Sequence, residues 1–396
     1  MASKIIMHID LNAFFVSCEI IKNPSLAGKP VLIGHSGRSG IVSTASYEAR
    51  KKGCHSGQPM FMAKEICPEA IVVPSDYRFY EVMSTSFFSF LKQYCKKIEI
   101  ASIDEAYCDM SEALSKVKDP ISYLKEMQLE LKKETGLGCS IGIAPTKWLA
   151  KMASDLKKPM GLTLIRRKDI KDIIYPLPIE SFWGIGKKSV PKLKGLGITT
   201  IGDLARLVNE DNDSIKKELG KFFFTIKEWV NGRGSDEINT DPFDPKSIGN
   251  SSTLNYDCIG INEVEETLKY LSKEVSIRAK EAKKVAKLVT LSVKDTSFSL
   301  HSKNKTLEEP TTDENIIFNE VKKLYIANFN EMNVRLVGVT LGKLSSKHNA
   351  NVQMSLWNYP TYEEMDKTKL LIEDLNRKMN KKVFFRLGEV KKDGDK

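Results

Sequence analysis

The stretch Asp236-Glu-Ile-Asn-Thr-Asp-Pro-Phe-Asp-Pro245 constrains this chain most. It carries four acids and two prolines, so it can neither continue a helix nor bury a core, and it reads as a linker at 236–246. The 396 residues must therefore form at least two bodies, and their number points to two to four domains. Hydrophobic residues at 41% and charged residues at 28% are globular proportions, which excludes wholesale disorder and a membrane bundle. No uncharged apolar run approaches the ~18 residues a membrane span needs. The N-terminus reaches Asp10 before a signal-peptide core could form, so a cytoplasmic location is expected.

Ahead of the linker, strands and helices interleave, which argues for an α/β layer. Residues 4–9 read as a buried strand and 11–20 as a helix. A finer texture follows from 22 to 75: strands at 30–33 and 40–43, Gly-rich turns, and helices at 46–52 and 58–66. This is the pattern of a small inserted subdomain. A long helix is expected at 77–95, a hairpin at 97–103 and 106–110, a helix at 119–135, a strand at 138–143 and a helix at 146–157. Residues 167–235 hold short helices and many glycines. Beyond the linker a second α/β unit is expected: strands at 247–256, 285–294, near 296–300 and 334–342, with helices at 262–282 and 313–329. The tail reads as a helix over 361–379 followed by a strand.

Lys and Arg total 61 against 51 Asp and Glu, a surplus of +10 that favours a polyanionic partner, nucleic acid first. The seven cysteines are scattered, no pair has C-x-x-C spacing, and the five histidines are dispersed. They read as packing residues of a reducing compartment rather than as a zinc site.

Three acids stand at strand ends. Asp10 closes the first strand, and Asp104 and Glu105 sit at the bend of the hairpin. Gathered at one spot they would repel one another, and hard divalent cations such as Mg²⁺ relieve that repulsion. Two such ions ~3.5–4 Å apart activate a hydroxyl and stabilise a leaving pyrophosphate. The same residues also suit a helix N-cap and a solvated turn, and spacing alone leaves both open. Nearby, Thr44-Ala-Ser-Tyr47-Glu-Ala-Arg50 places Tyr47 and Arg50 on one helix face, a good grip for a triphosphate, with Lys157-Lys158 as further cations.

These segments resemble a known family. Met7-His-Ile-Asp10-Leu-Asn-Ala-Phe14-Phe15-Val-Ser-Cys-Glu19 is similar to the first motif of the Y-family DNA polymerases, the translesion enzymes of the DNA polymerase IV type. So are Tyr47-Glu-Ala-Arg50, Ala101-Ser-Ile-Asp104-Glu105-Ala-Tyr107, and the run from Ser140 to Gly161. The matches keep the family's order and spacing over roughly residues 4–357. The resemblance implies a palm at 1–166, small fingers inserted at about 20–77, a thumb at 167–235 and a little finger at 247–350. It implies template-directed, low-fidelity addition of dNTPs to primed DNA during translesion synthesis and repair, by a monomer with two Mg²⁺ per active site. By position, Asp10, Asp104 and Glu105 match the metal-binding acids, with the Leu11 main-chain carbonyl. Phe15 matches the steric gate beneath the incoming sugar, with Phe14 beside it. Thr44, Tyr47, Arg50 and Lys158 match the triphosphate contacts. Asn12 stands where many relatives have a second Asp, and is assigned no metal. Ala101 stands where some relatives have Phe or Tyr.

Phe182-Trp-Gly184-Ile-Gly186-Lys187-Lys188-Ser189-Val-Pro-Lys192-Leu-Lys194 resembles the family's helix–hairpin–helix thumb. Gly184 and Gly186 allow backbone N–H groups to approach a phosphate, and the lysines add cations with no acid between them in sequence. Pro191 fits if Ser189 caps the helix that follows. In the little finger, Lys283, Lys284 and Lys287 would lie along a strand edge beside the duplex. Gln353-Met-Ser-Leu356-Trp357 resembles a sliding-clamp-binding peptide, with a last strand of the little finger as the alternative. A nucleotide cyclase, a non-catalytic DNA scaffold and a metal nuclease fit the whole set less well. No segment remains for a proofreading exonuclease.

Overall fold

A computed structural model describes residues 4–346 and, beyond them, Leu375. The chain forms two compact units, residues 1–243 and 244–396.

The first unit opens with β1 (Ile6–Leu11), α1 (Phe14–Lys22), β2 (Val31–Gly34), β3 (Val42–Ala45), α2 (Tyr47–Lys51), α3 (Met60–Ile66), β4 (Ile71–Val73) and α4 (Tyr77–Tyr94). It continues with β5 (Ile98–Ile100), β6 (Glu105–Asp109), α5 (Ser111–Ser115), α6 (Pro120–Thr135), β7 (Cys139–Ala144), α7 (Lys147–Asp155) and β8 (Leu162–Leu164). Short helices complete it: α8 (Ile170–Ile173), α9 (Val190–Gly195), α10 (Ile201–Asn209), α11 (Asp213–Leu219) and α12 (Phe222–Val230). The main sheet has the order β5-β6-β1-β7-β8, and a separate three-stranded sheet runs β3-β2-β4. The short strands β4 and β8 escape the sequence reading; three apolar residues carry too little periodicity to register.

β1 lies at the centre, antiparallel to both β6 and β7. Its residues alternate between two cores. Met7, Ile9 and Leu11 pack with Phe87, Leu91 and Leu131 from α4 and α6. Ile6 faces the opposite way, into a cluster with Trp148 and Leu149 of α7 and Ile170, Leu193, Leu204 and Phe223 of the short helices. Each such fully buried side chain contributes ~1.5–3 kcal/mol. By the same alternation His8 and Asp10 share the face of Ile6. α7 approaches that face closely because Gly142 has no side chain: a Cβ there would meet the Ala150 carbonyl at 2.1 Å and the Ser154 amide at 2.4 Å. The seven cysteines are all buried and free.

The second unit holds β9 (Ile248–Cys258), α13 (Ile261–Glu281), β10 (Lys284–Asp295), β11 (Leu300–Thr311), α14 (Glu314–Phe329) and β12 (Val334–Ser346). The sheet order is β11-β10-β12-β9, with every pairing antiparallel, and α13 and α14 close its inner face. Two expectations need correction. The strand expected near 296–300 is the turn, and β11 runs through 300–311 instead; its exposed Lys303, Asn304 and Lys305 hide the β pattern. β10, expected as an edge, is an interior strand. Among the described residues no helix is long and apolar enough to cross a membrane.

Candidate active site

The three acids converge on one end of the main sheet. Asp10 stands opposite Glu105 in the β1–β6 register, and the Leu11 N–H donates to the Asp104 carbonyl at 3.0 Å. Two lysines meet them. Lys151 on α7 lies 3.1 Å from Asp10 and 3.2 Å from Glu105. Lys158, past the end of α7, lies 2.7 Å from Asp10 and 2.8 Å from Asp155. Burial opposes the charge on each lysine, yet the carboxylates around them, Asp10 first, raise both pKa values. Glu105 is pushed down to about 2 by His8 and, against its burial, by Lys151. Asp104 moves the other way: burial raises its pKa, the Ser102 hydroxyl at 2.6 Å counters, and the charges of Asp10 and Glu105 raise it further.

The acids are expected to gather as metal ligands. The backbone does bring them together, but among the described residues no three His, Cys, Asp or Glu side chains stand in ligand geometry. Repulsion is relieved by the two ammonium groups and by Ser102, toward which Asp104 turns. The donor set still fits a hard divalent cation: the oxygens are carboxylates, and the charge on Asp104 remains opposed by its neighbours.

Ala13 caps α1 in the left-handed conformation (φ 42°), which turns the chain sharply off β1 and into Phe14-Phe15. Such backbone is held only by its surroundings and clusters at functional sites. Phe15 is half-buried and stacks on Tyr80, ring centroids 4.3 Å apart at 14°. Phe14 is 2% exposed in the core. Phe14, grouped in the sequence reading with the nucleotide contacts, lies beside Phe15 and supports it from behind, 5.5 Å ring to ring.

Thr44 lies on β3 and Tyr47 opens α2. Ser46 caps that helix, accepting from Ala49, and also accepts the Val31 N–H at 3.0 Å, which ties α2 to β2. The Arg50 guanidinium sits 5.0 Å from the Tyr47 ring centroid, as the i, i+3 spacing implies. The Tyr47 hydroxyl is buried without a hydrogen bond. Burial raises its pKa, opposed by Arg50 and Lys158. A buried phenol with an unused proton, beside two cations, suits an anionic oxygen.

Three family models account for most of the chain. Residues 9–155 match the impB/mucB/samB family, 167–198 the IMS family HHH motif, and 245–356 the impB/mucB/samB family C-terminal domain. The chain belongs to the impB/mucB/samB family. It is 37% identical to DNA polymerase IV 1 of Bacillus subtilis over 402 residues, covering 100% of this chain and 95% of that protein. It is 39% identical to DNA polymerase IV of Streptococcus agalactiae over 361 residues, covering 88% and 96%. Among solved structures, a Y-family DNA polymerase chimera matches with TM-score 0.75 at 28% identity, over 87% of this chain and 100% of that one.

The matched HHH segment of this impB/mucB/samB member shows how its cations are placed. Gly184 takes φ 110°, and a Cβ there would stand 3.0 Å from Phe222 and 3.2 Å from Trp229. Gly186 is unobstructed. Ser189 does precede α9, with Pro191 in its first turn. The lysines are unopposed in sequence but not in space: Glu218 lies 3.0 Å from Lys192, and Glu180 pairs with Lys194. Lys187 and Lys188 are exposed with no carboxylate partner among the described residues. In the matched C-terminal domain, Lys283 is exposed at φ 54° where α13 turns into β10. Lys284 pairs with Asp244 at 2.6 Å. Lys287 sits at the bulge where the β10–β11 register shifts. Gln353, Leu356 and Trp357 lie outside the described residues, as does all of the tail except Leu375.

Sequence reasoning misses two participants. Lys151 follows Lys147 and precedes Asp155 at i, i+4 spacing, a charged stripe on an otherwise apolar helix. His8 is a polar residue at an inward position of a buried strand.

Proposed function

We propose that this chain is a template-directed, low-fidelity DNA polymerase of translesion synthesis, adding dNTPs to a primer 3′ end. The observation that carries this reading is the pairing of three strand-end carboxylates with an adjoining cationic and phenolic cluster: acids for cations at the reacting phosphate, and Tyr47, Arg50 and Lys158 for the rest of the triphosphate. A cyclase would need the first two of these groups but not the HHH segment or a second basic unit. Palm, fingers, thumb and little finger are assigned to 1–166 with about 20–77 inserted, 167–235 and 247–350. Asp10, Asp104, Glu105 and the Leu11 carbonyl would hold two Mg²⁺. When bound, these ions activate the primer hydroxyl and balance charge on the departing pyrophosphate. The residues of the chain do the rest. Lys158 and Arg50 offer positive charge to the phosphates, Tyr47 and Thr44 offer hydroxyl protons, and Phe15 lies under the sugar. A monomer working in the cytoplasm fits this reading. Primer extension on a primed template with Mg²⁺ and each dNTP tests it: template-directed addition is expected, and hydrolysis or cyclisation of the nucleotide without extension would refute it.

The DNA grip is electrostatic and sequence-independent. Affinity for primed DNA is expected to fall steeply with salt. Replacing Lys187 and Lys188 by Ala should reduce the slope of log K against log salt by about 0.9 for each phosphate that is no longer neutralised. Lys192 and Lys194, already paired with carboxylates, should contribute less. An unchanged slope in the Lys187/Lys188 variant counts against this surface.

Gln353–Trp357 is assigned to a sliding clamp. Tethering raises the effective concentration of enzyme at the primer end without any new contact to DNA. Leu356 and Trp357 would fill an apolar pocket and Gln353 would hydrogen-bond at its rim. The variant with both Leu356→Ala and Trp357→Ala should melt like wild type and extend primers normally alone, yet gain no processivity when clamp is loaded. Early unfolding, or a full response to clamp, would instead make this segment part of the little finger.

A further inference from the structure

Asn12 is 6% exposed and every polar group on it is engaged. Its N–H donates to the Gly138 carbonyl at 2.8 Å, and its own carbonyl accepts the Ser17 hydroxyl at 2.7 Å. The side chain joins two further segments. Oδ1 accepts the Met160 N–H at 2.8 Å, and Nδ2 donates to Ser140 Oγ at 2.8 Å. Ser140 Oγ also accepts the Gly161 N–H at 3.3 Å. The turn after α7 is thus pinned at Met160 and Gly161, and Met160 is held in the left-handed region (φ 57°). That turn carries Lys158.

We propose that Asn12 is a positioning residue for the incoming triphosphate: its carboxamide fixes the Lys158 turn in one arrangement before nucleotide arrives. This rests on the reading that Lys158 holds phosphate. A carboxamide suits the place because it accepts on one side and donates on the other. An aspartate at this position would keep the acceptor toward Met160 and could take the Ser140 proton, so the pin would survive with one bond reversed. A leucine of similar volume would lose both bonds. The Lys158 turn would then have to be ordered by the ligand, and that ordering weakens binding rather than the chemical step.

The test compares wild type with Asn12→Leu, Asn12→Asp, Lys158→Met and the Asn12→Leu/Lys158→Met double variant. For each, dNTP Kd is measured on a dideoxy-terminated primer and kcat on an extendable one. Asn12→Leu should raise Kd on the order of tenfold while kcat stays within about threefold. Asn12→Asp should remain near wild type. In the Lys158→Met background, Asn12→Leu should add less than about twofold, because the two act through one group. A fall in kcat alone, full multiplication in the double variant, or an Asn12→Asp defect as large as that of Asn12→Leu overturns the proposal. If Lys158→Met changes nothing, the triphosphate assignment fails and the positioning role with it; if Lys158→Met weakens dNTP and Asn12→Leu does not, positioning alone fails. Should Asn12→Leu not fold, Ser140→Ala removes half of the pin and is expected to raise Kd about threefold, again without loss of kcat.

Discussion

Asp104→Ala is expected to lower nucleotide addition by more than about a thousandfold while primed DNA is bound as before. The side chain lies at the shared end of β1 and β6, and the hydrogen bond that secures its backbone, Leu11 N–H to the Asp104 carbonyl, survives truncation. Its ionised form is opposed by burial and by Asp10 and Glu105, with the Ser102 hydroxyl and, more weakly, its own backbone N–H in its favour. Removing it should therefore leave the melting temperature unchanged or slightly higher, as happens where charge is kept for function at the expense of stability. Single-turnover insertion, DNA-binding anisotropy and a thermal melt together check this. Activity within tenfold of wild type would dismiss the metal assignment, and loss of DNA binding or early melting would make the residue structural.

The legible part of this site is what lies close in sequence. Asp10 follows its strand directly, Asp104 and Glu105 are adjacent, and Tyr47 and Arg50 share a helix turn, so local periodicity places each of them. The opaque part depends on pairings across the chain. Lys192 meets Glu218 and Lys194 meets Glu180 only once the short helices pack, and a run of lysines in sequence carries no sign of those partners. Lys151 reaches Asp10 across 141 residues because Gly142 lets α7 settle onto β7. The acids illustrate the same limit at finer scale. Their backbone positions follow from strand and hairpin, whereas the rotamers follow from counter-charges that no motif records.

The fold shows a parallel division. Long amphipathic elements such as α4 and α13 are legible to within a residue or two, because their apolar stripes repeat many times. β11 is not. One of its faces is open to solvent, and the polar residues there leave the register to pairing with β10 rather than to a hydrophobic pattern. Phe14 and Phe15 are chemically alike and adjacent, yet one is core and the other half-buried. The left-handed Ala13 decides which is which, and no propensity announces it.

Phe15→Ala is expected to admit ribonucleotides while deoxynucleotide addition survives. A gate works by contact only if it cannot retreat, and Phe15 is held on three sides. Tyr80 stacks on it at 4.3 Å, Tyr77 meets it edge-on at 5.8 Å, and Phe14 lies 5.5 Å away. Tyr80 is itself fixed: its ring is fully buried and its hydroxyl donates to Glu19 at 2.9 Å. Glu19 is held in turn by Lys22 at 3.3 Å. If the sugar lies over this ring as proposed, a ribose 2′-hydroxyl would meet a group with nowhere to move, and such a clash is worth a few kcal/mol, on the order of a hundredfold or more in discrimination. Truncation removes the clash and the stacking, and the latter costs only ~0.5–1.5 kcal/mol, so the protein should remain folded. The ratio of kcat/KM for a ribonucleotide over the matching deoxynucleotide, measured opposite one template base, should rise about a hundredfold, with the deoxynucleotide value within tenfold of wild type. If the ratio is unchanged, Phe15 is not the gate; if both values collapse together, the ring positions substrate instead of excluding it.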